Sequence, residues 1–152
     1  MSVNRRSFVK AAGAAVVASQ TSLSYGRILG SNESLRIGVI GFRGRGKVLI
    51  KAIKAAENAK LVALCDVDEN TLGGMEADNK SLFRTGDFRK LLERDDIDAI
   101  ASATPNHWHS MLAIHGVLAG KHVYIEKPIS HNMLESRAVV AAAEKTLSLI
   151  HI

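Results

Sequence analysis

The sequence has 152 residues, is 47% hydrophobic and 23% charged, and carries a formal net charge of +5 at pH 7. This composition is typical of a globular chain with one domain-sized core, and it excludes disordered and collagen-like chains. The positive charge does not predict a nucleic-acid partner, because Arg5, Arg6 and Lys10 supply much of it and aromatic residues are only 5%.

The N-terminal segment resembles an export signal. Asn4-Arg5-Arg6-Ser7-Phe8-Val9-Lys10 precedes an apolar run, Ala11 to Ala18, which is too short to span a bilayer. An arginine pair, an aromatic residue and a lysine before such a run are typical of twin-arginine signals. We therefore predict a signal peptide over residues 1–24, a linker over 25–34, the twin-arginine export machinery as a partner, and a periplasmic location. The alternative is a frayed amphipathic helix.

From Leu35 onward, short apolar runs alternate with segments of helical periodicity. The predicted strands are Leu35–Ile40, Lys60–Cys65, Ser81–Thr85, Ile97–Ala103, His122–Ile125 and Leu147–Ile152. The predicted helices are Lys47–Ala56, a poor helix over Asp68–Asn79, one that runs from an N-cap at Asp87 to Glu93, His109–Leu118 and Met133–Lys145. This alternation predicts an α/β fold with a doubly wound parallel sheet over residues 35–152.

A glycine-rich turn, Gly41 to Gly46, follows the first strand and reads Gly-Phe-Arg-Gly-Arg-Gly. Strand, glycine turn and helix form the context of a dinucleotide fingerprint, in which the helix N-terminus favours a pyrophosphate. The spacing departs from G-x-G-x-x-G, because Arg43 occupies the second glycine position and Gly44 follows it. Arg43 and Arg45 are therefore candidates for direct phosphate contact. The alternative is an ordinary strand-to-helix turn.

An acidic residue follows the second strand. Asp66 lies twenty residues after Gly46, at the position where a carboxylate accepts hydrogen bonds from a ribose 2′-hydroxyl. The same charge repels a 2′-phosphate, so Asp66 favours NAD as the cofactor, with NADP as the second possibility. Cys65, the only cysteine of the sequence, is predicted to be a small buried side chain and not a reactive thiol.

The two prolines of the sequence, Pro105 and Pro128, each follow an apolar run. Proline cannot donate to a sheet ladder, so both predict strand ends. Lys127 therefore lies at the carboxyl end of a strand, which is where open α/β sheets bind ligands. The alternative for Lys127 is a solvated surface lysine.

The loop from Thr104 to His109 contains two histidines, but no Cys, Asp or Glu in it completes a zinc ligand set, so no metal site is predicted. Trp108 is either a packing residue or one wall of a pocket. His115 is predicted to be a packed histidine on one helix stripe with three apolar residues, Met111, Ile114 and Leu118.

Together these motifs resemble the N-terminal part of the Gfo/Idh/MocA oxidoreductase family, the relatives of glucose-fructose oxidoreductase and inositol dehydrogenase. The resemblance covers about Leu35 to Lys145. It is carried by Ala103-Thr104-Pro105-Asn106 with His109, and by Ala119-Gly120-Lys121-His122-Val123 leading to Glu126-Lys127-Pro128. It implies a Rossmann domain that binds NAD or NADP, followed by an α/β domain that supports the substrate and oligomerisation.

The resemblance also implies residue roles. Lys127 takes the position beside the nicotinamide and the substrate, where an ammonium hydrogen-bonds the reacting hydroxyl and lowers the cost of its proton loss. Glu126 is expected to orient Lys127. The remaining cofactor contacts are expected from Gly41, Arg43, Gly44, Arg45, Gly46 and Asp66, and on the nicotinamide side from Thr104, Pro105, Asn106 and His109.

The implied activity is hydride transfer between a nicotinamide cofactor and the hydroxyl of a small carbohydrate-like substrate, by a full-length protein that is a homo-oligomer. The catalytic aspartate and histidine of the family belong to the second domain, which these 152 residues lack, so the chain alone is expected to be inactive. One alternative is a glycosidase that uses bound NAD transiently, although such relatives do not keep the lysine of this motif. The other is a truncated nucleotide-binding module without catalysis.

Overall fold

A six-stranded parallel sheet organises the computed structural model, which describes residues 34–75, 79–146 and 148–151. The strands are β1 (Leu35–Ile40), β2 (Ala59–Cys65), β3 (Phe83–Thr85), β4 (Ala99–Ser102), β5 (His122–Ile125) and β6 (Ile150–His151). Their order across the sheet is β3-β2-β1-β4-β5-β6, and every neighbouring pair is parallel. The strand order thus reverses between β1 and β4, as in the Rossmann fold.

The crossovers between the strands contain five helices. These are α1 (Arg45–Ala55), α2 (Glu69–Gly74), α3 (Phe88–Leu92), α4 (His109–Leu118) and α5 (Met133–Thr146), with a 3₁₀ turn at Asn106–Trp108 before α4. Asp68 and Asp87 cap α2 and α3, because each carboxylate accepts a hydrogen bond from the backbone N–H two residues later. The predicted N-cap at Asp87 is therefore confirmed.

Apolar side chains cover both faces of the sheet. On one face, Ile50 and Ile53 of α1 pack against strand residues that include Val39 and Leu64. On the other face, α3, α4 and α5 pack over a second cluster, whose members include Leu91, Leu112, Val139, Ile100 and Ile125. All four residues of β4 are buried. A strand buried on both faces reads as a continuous apolar run, which explains why the strands were recognisable in the sequence.

Of the predicted packed stripe on α4, only Ile114 packs against the core cluster. Met111 is 45% exposed, Leu118 is 54% exposed, and His115 is exposed as well. The buried face carries His109, Leu112 and Val117 together with the small residues Ser110, Ala113 and Gly116. A Cβ at Gly116 would lie 2.7 Å from Val123 Cγ2 and 2.8 Å from Ile100 Cδ1. The absence of a side chain at Gly116 therefore lets this helix lie close to the sheet.

Several elements are shorter than predicted. The third strand begins at Phe83 and the fourth at Ala99, after Asp98. The Asp98 carboxylate accepts hydrogen bonds from the backbone N–H of Arg36 at 2.8 Å and from its guanidinium at 2.6 Å. These hydrogen bonds from Arg36 hold the pKa of Asp98 below its usual value. Strand β4 thus begins directly after Asp98, the residue whose side chain pairs with Arg36.

The prediction of a doubly wound, Rossmann-like α/β fold is confirmed by the strand order and the parallel pairing. The predicted signal peptide and all but the last residue of the predicted linker lie outside the described residues. In the described ranges, no helix is both long enough and apolar enough to cross a membrane.

Candidate functional site

The candidate site lies at the carboxyl ends of β1 and β4, where the strand order reverses. Ile40 and Ser102, the last residues of these strands, are paired neighbours, so the loops that follow them leave the sheet side by side. A cleft of about 570 Å³ opens between these loops and the end of β2, and a second pocket of about 620 Å³ lies towards β5. Ala103 and Thr104 line both. Open α/β sheets bind their ligands at such a switch point.

Two glycines shape the turn between β1 and α1. Gly41 has φ +72°, and a Cβ on it would lie 2.7 Å from Thr104 Cγ2. A Cβ on Gly46 would lie only 2.3 Å from the carbonyl oxygen of Gly41. Neither position has room for a side chain. Gly41 and Gly46 therefore meet the requirements of the first and third glycines of the dinucleotide fingerprint.

The start of α1 is open towards the cleft. Gly44 forms the N-cap, and no side chain caps the helix there. A Cβ built on Gly44 would meet no described atom within 4 Å beyond its chain neighbours. A helix N-terminus with room around it suits an anionic group, because the helix dipole favours negative charge there. The N–H groups of Gly46 and Lys47 already donate to the carbonyl oxygens of Arg43 and Gly44, at 2.9 Å and 3.2 Å.

The two arginines of the turn already have carboxylate partners. The Arg43 guanidinium pairs with Asp68, and its Nε donates to Thr71 Oγ1 at 3.0 Å. Arg45 Nε donates to Glu126 Oε1 at 2.6 Å. Arg43 therefore links the turn to the loop after β2, and Arg45 links it to the loop after β5. Their predicted contact with phosphate remains a prediction.

Asp66 is held in place by backbone donors at the end of β2. Its Oδ1 accepts from the N–H of Asp68 at 3.0 Å, and its Oδ2 accepts from the N–H of Phe42 at 3.3 Å. Each carboxylate oxygen can accept a further hydrogen bond, and Asp66 lines the cleft. The arrangement therefore presents a fixed acceptor to a ribose hydroxyl.

Cys65 lines the same cleft but offers no nucleophile. Its residue is 3% exposed, and burial, aided by the charge of Asp66, raises the pKa of its thiol to about 12. The thiolate is the reactive form, so this side chain stays protonated and inert near neutral pH. This agrees with the interpretation of Cys65 as a buried structural residue.

The second pocket brings together most of the residues predicted for the nicotinamide side. It is lined by Arg45, Ala103, Thr104, Asn106, His109, Glu126 and Lys127, whereas Pro105 lines the first cleft. Lys127 is exposed at the end of β5. Within the described part of the chain, no group accepts a hydrogen bond from its ammonium. That ammonium is therefore available to an oxygen atom of a molecule in the pocket.

His109 ties the two loops of this pocket together. Its ring is 2% exposed, with Nδ1 2.6 Å from the carbonyl oxygen of Pro128 and Nε2 2.8 Å from that of Thr104. A carbonyl oxygen only accepts, so a neutral imidazole satisfies one of these contacts and an imidazolium satisfies both. Through either form, His109 fixes the loop after β4 relative to the residue that follows Lys127.

The Glu126 carboxylate is engaged by Arg45 and not by the Lys127 ammonium. Glu126 Oε1 accepts from Arg45 Nε at 2.6 Å and from the Tyr124 hydroxyl at 3.3 Å. The hydrogen bond from Arg45 is the main reason that the pKa of Glu126 lies below its usual value. Glu126 reaches Lys127 only through its backbone N–H. Any orienting effect on Lys127 is thus carried by the main chain.

Sequence reasoning missed several residues that line the first cleft, among them Val67, Gly86 and Phe88, and left Trp108 undecided. Phe88 lines the first cleft together with Trp108, for which packing and pocket roles were both open. The only local signal for Phe88 was its position after the N-cap Asp87. Within residues 34–75, 79–146 and 148–151, no three His, Cys, Asp or Glu side chains form a group that could hold a metal ion.

The site fits a nicotinamide dinucleotide. It combines a turn in which Gly41 and Gly46 leave no room for a side chain, an open helix N-terminus and a fixed carboxylate at the end of β2. These are the features that hold the pyrophosphate and the adenosine ribose in Rossmann folds. Gly41, Gly44 and Gly46 would hold the pyrophosphate, and Asp66 the ribose.

Comparison with known proteins agrees with this geometry. Residues 35–152 match the family described as "Oxidoreductase family, NAD-binding Rossmann fold", which is the Gfo/Idh/MocA family. A curated relative, glycosyl hydrolase family 109 protein 2 of Shewanella sp. (strain ANA-3), is 34% identical over 146 residues, which cover 90% of this chain. The chain spans only 30% of the length of that relative.

Solved structures of dehydrogenases share the fold. A probable dehydrogenase from Thermotoga maritima is 31% identical with a TM-score of 0.73, covering 76% of this chain and 35% of the other. The apo scyllo-inositol dehydrogenase from Lactobacillus casei is 25% identical with a TM-score of 0.73, covering 78% and 36%. The chain therefore belongs to the Gfo/Idh/MocA oxidoreductase family and carries its NAD-binding Rossmann domain.

Proposed function

We propose that the full-length protein transfers a hydride between a nicotinamide cofactor and the hydroxyl-bearing carbon of a sugar or polyol. The observation that carries this proposal is the ammonium of Lys127, from which no group in the described ranges accepts a hydrogen bond. Lys127 lines the pocket beyond the dinucleotide turn together with Asn106 and His109. Support for the substrate class comes from the similarity to the scyllo-inositol dehydrogenase of Lactobacillus casei. These 152 residues form mainly the cofactor-binding part of such an enzyme.

In the oxidation direction, the substrate loses the hydride from its carbinol carbon, its hydroxyl proton passes to water or to a general base of the full-length protein, and a carbonyl group results. NAD, when bound, supplies the hydride acceptor. Lys127 donates a hydrogen bond to the reacting oxygen and stabilises the negative charge that develops there as the proton leaves. His109 fixes the loops after β4 and β5, which line this pocket, through its contacts with Thr104 and Pro128. The chain's own contribution is thus orientation and charge stabilisation.

The test measures the turnover of the full-length protein and of its Lys127→Met and Lys127→Arg variants on a panel of sugars and polyols. NADH formation is followed by absorbance, and NAD affinity by calorimetry. Loss of one donor to a developing oxyanion costs roughly 10²–10³-fold in turnover. Lys127→Met should therefore lower kcat by about that factor and leave NAD affinity within about twofold. Lys127→Arg should retain part of the activity. Unchanged turnover in Lys127→Met, or no redox change of the cofactor with any member of the panel, would contradict the proposal.

A second candidate is a glycosidase that oxidises and re-reduces its sugar on bound NAD. The observation that favours it is the 34% identity to proteins named as members of glycosyl hydrolase family 109. The two candidates differ in their net chemistry. Release of free sugar from a nitrophenyl glycoside without accumulation of NADH supports the glycosidase, whereas stoichiometric NADH from a free polyol supports the dehydrogenase. Dinucleotide binding that no substrate affects would favour a module without catalysis.

Export by the twin-arginine pathway to the periplasm and homo-oligomerisation of the full-length protein are part of the same proposal. Export is supported by the arginine pair and the apolar run of the first 24 residues. Light scattering of the purified full-length protein measures its oligomeric state, and a mass equal to one chain would contradict a homo-oligomer.

A further inference from the structure

The first cleft has an aromatic wall that the family assignment does not explain. Phe88 and Trp108 both line it, and their ring centroids are 6.3 Å apart with an interplanar angle of 67°. Trp108 remains 39% exposed. Large aromatic side chains in a well-packed domain are usually more buried than this, so an exposed tryptophan at a concave surface indicates a place for a ligand.

Local structure fixes both rings at the cleft. Phe88 is the first residue of α3, directly after its cap Asp87, and Trp108 is the last residue of the 3₁₀ turn that leads into α4. The Phe88 ring also packs edge-on against His115, with centroids 5.8 Å apart. The phenyl ring thus supports the indole from one side, and the exposed part of the indole is available to the cleft.

The chemistry of the cleft indicates which half of the dinucleotide meets this wall. NAD and NADP differ only at the adenosine ribose, which carries the additional phosphate in NADP. Because Asp66 is the residue expected to distinguish the two cofactors, its carboxylate belongs with that ribose. The nicotinamide half belongs with Lys127 in the second pocket. Besides the charged Arg43, Asp66 and Asp68, the first cleft is lined by apolar or neutral residues that suit an adenine base, among them Val67, Gly86, Phe88, Pro105 and Trp108.

We propose that Trp108, supported by Phe88, is the surface on which the adenine base of the dinucleotide stacks. A purine presents flat apolar faces, and such faces stack favourably on an aromatic side chain. Trp108 is therefore a specificity residue for the adenine half of the cofactor. The proposal rests on NAD binding by this domain and is independent of the reaction that the protein catalyses.

Calorimetric titration of the purified protein with NAD, ADP-ribose, AMP and nicotinamide mononucleotide tests this assignment. Trp108→Ala should weaken NAD, ADP-ribose and AMP by about tenfold or more, which corresponds to a stacking energy above 1.4 kcal/mol, and should leave nicotinamide mononucleotide within about twofold. Trp108→Phe should restore most of the affinity. Met111→Ala is the matched control, because Met111 is 45% exposed on the next turn of α4 and lines neither pocket.

A second measurement needs no variant. Trp108 is the only tryptophan of the 152 residues, so saturating AMP should change the fluorescence emission of this chain, and nicotinamide mononucleotide should not. An emission spectrum that AMP leaves unchanged overturns the proposal. The proposal is also overturned if Trp108→Ala binds ADP-ribose as tightly as the unmodified protein does, or if it weakens the binding of AMP and nicotinamide mononucleotide by the same factor. Because these are binding measurements, their result is separate from that of the turnover assay with Lys127 variants.

Discussion

At the level of single residues, the Asp66 carboxylate has a structural task, and we predict a recognition task as well. It accepts hydrogen bonds from the N–H groups of Phe42 and Asp68, which lie in the loops after β1 and β2. It also carries the negative charge that a ribose diol favours and a 2′-phosphate disfavours. The two tasks can be separated by a substitution that keeps an oxygen acceptor and removes the charge.

We predict that Asp66→Asn weakens NAD binding by roughly tenfold or more, since a hydrogen bond to a charged group contributes about 1.5–3 kcal/mol. NADP binding should stay constant or tighten, because the repulsion between two negative charges is gone. The measurement is a pair of titrations with NAD and NADP. Asp66→Ala, which also removes the support of the two loops, should weaken NAD at least as much.

Asp96→Asn serves as the control for the loss of one negative charge, because Asp96 pairs with Arg94 and lines neither pocket. Its affinities for both cofactors should equal those of the unmodified protein. If Asp66→Asn weakens NAD and NADP by the same factor, Asp66 does not read the ribose.

At the level of elements, the unit of β1, glycine turn and α1 depends on one close backbone contact. A Cβ on Gly46 would lie 2.3 Å from the carbonyl oxygen of Gly41 and 3.0 Å from its carbon. Backbone atoms cannot move aside as the end of a flexible side chain can. The helix therefore starts where it does, with its N-terminus at the cleft, only because residue 46 lacks a side chain.

We expect Gly46→Ala to destabilise the domain by about 1–3 kcal/mol, the usual range for overpacking, and to weaken NAD binding because the turn is displaced. Gly73→Ala is the matched substitution in α2, where a Cβ would meet no described atom within 4 Å beyond its chain neighbours. There, alanine should be neutral or stabilising by up to about 1 kcal/mol, as helix propensity predicts. Urea denaturation measures both. Equal effects of the two substitutions would show that the contact with Gly41 does not constrain the turn.

At the level of the whole molecule, the fold and the edge that carries the site could be predicted from the sequence. Gly41, Asp66, Ala103 and Glu126 each directly follow a strand. Parallel strands that alternate with helices bring such residues to one edge of the sheet. Predicting that these residues converge therefore required only the positions where the strands end. Buried apolar runs and the two prolines indicate those positions.

Contacts between distant loops could not be predicted in the same way. Arg45 and Glu126 are 81 residues apart, and the rings of Phe88 and Trp108 meet only when α3 and α4 are packed on the same face of the sheet. Helical periodicity in α4 allowed two inward stripes, and the stripe that contains Gly116, which lies close to Val123, turned inward. Such outcomes depend on side-chain shapes in three dimensions, and a linear pattern does not contain them.

The predicted route of export gives the cofactor domain a further requirement. The twin-arginine pathway carries folded proteins, so NAD bound in the cytoplasm would be exported together with the protein, to a compartment without a comparable dinucleotide pool. We predict that replacement of Arg5 and Arg6 by lysine stops export. Folded, NAD-binding precursor should then accumulate in the cytoplasm, because the change lies outside the family domain at residues 35–152.

Cell fractionation followed by immunoblotting measures the location, and chromatography of nucleotides released from the purified protein measures the bound NAD. Arg27→Lys in the predicted linker is the matched control, since it makes the same chemical change outside the signal and should leave export unchanged. Export of the double-lysine variant at the normal level would contradict a twin-arginine signal. Exported protein that contains no dinucleotide would instead show that the cofactor does not travel with the folded domain.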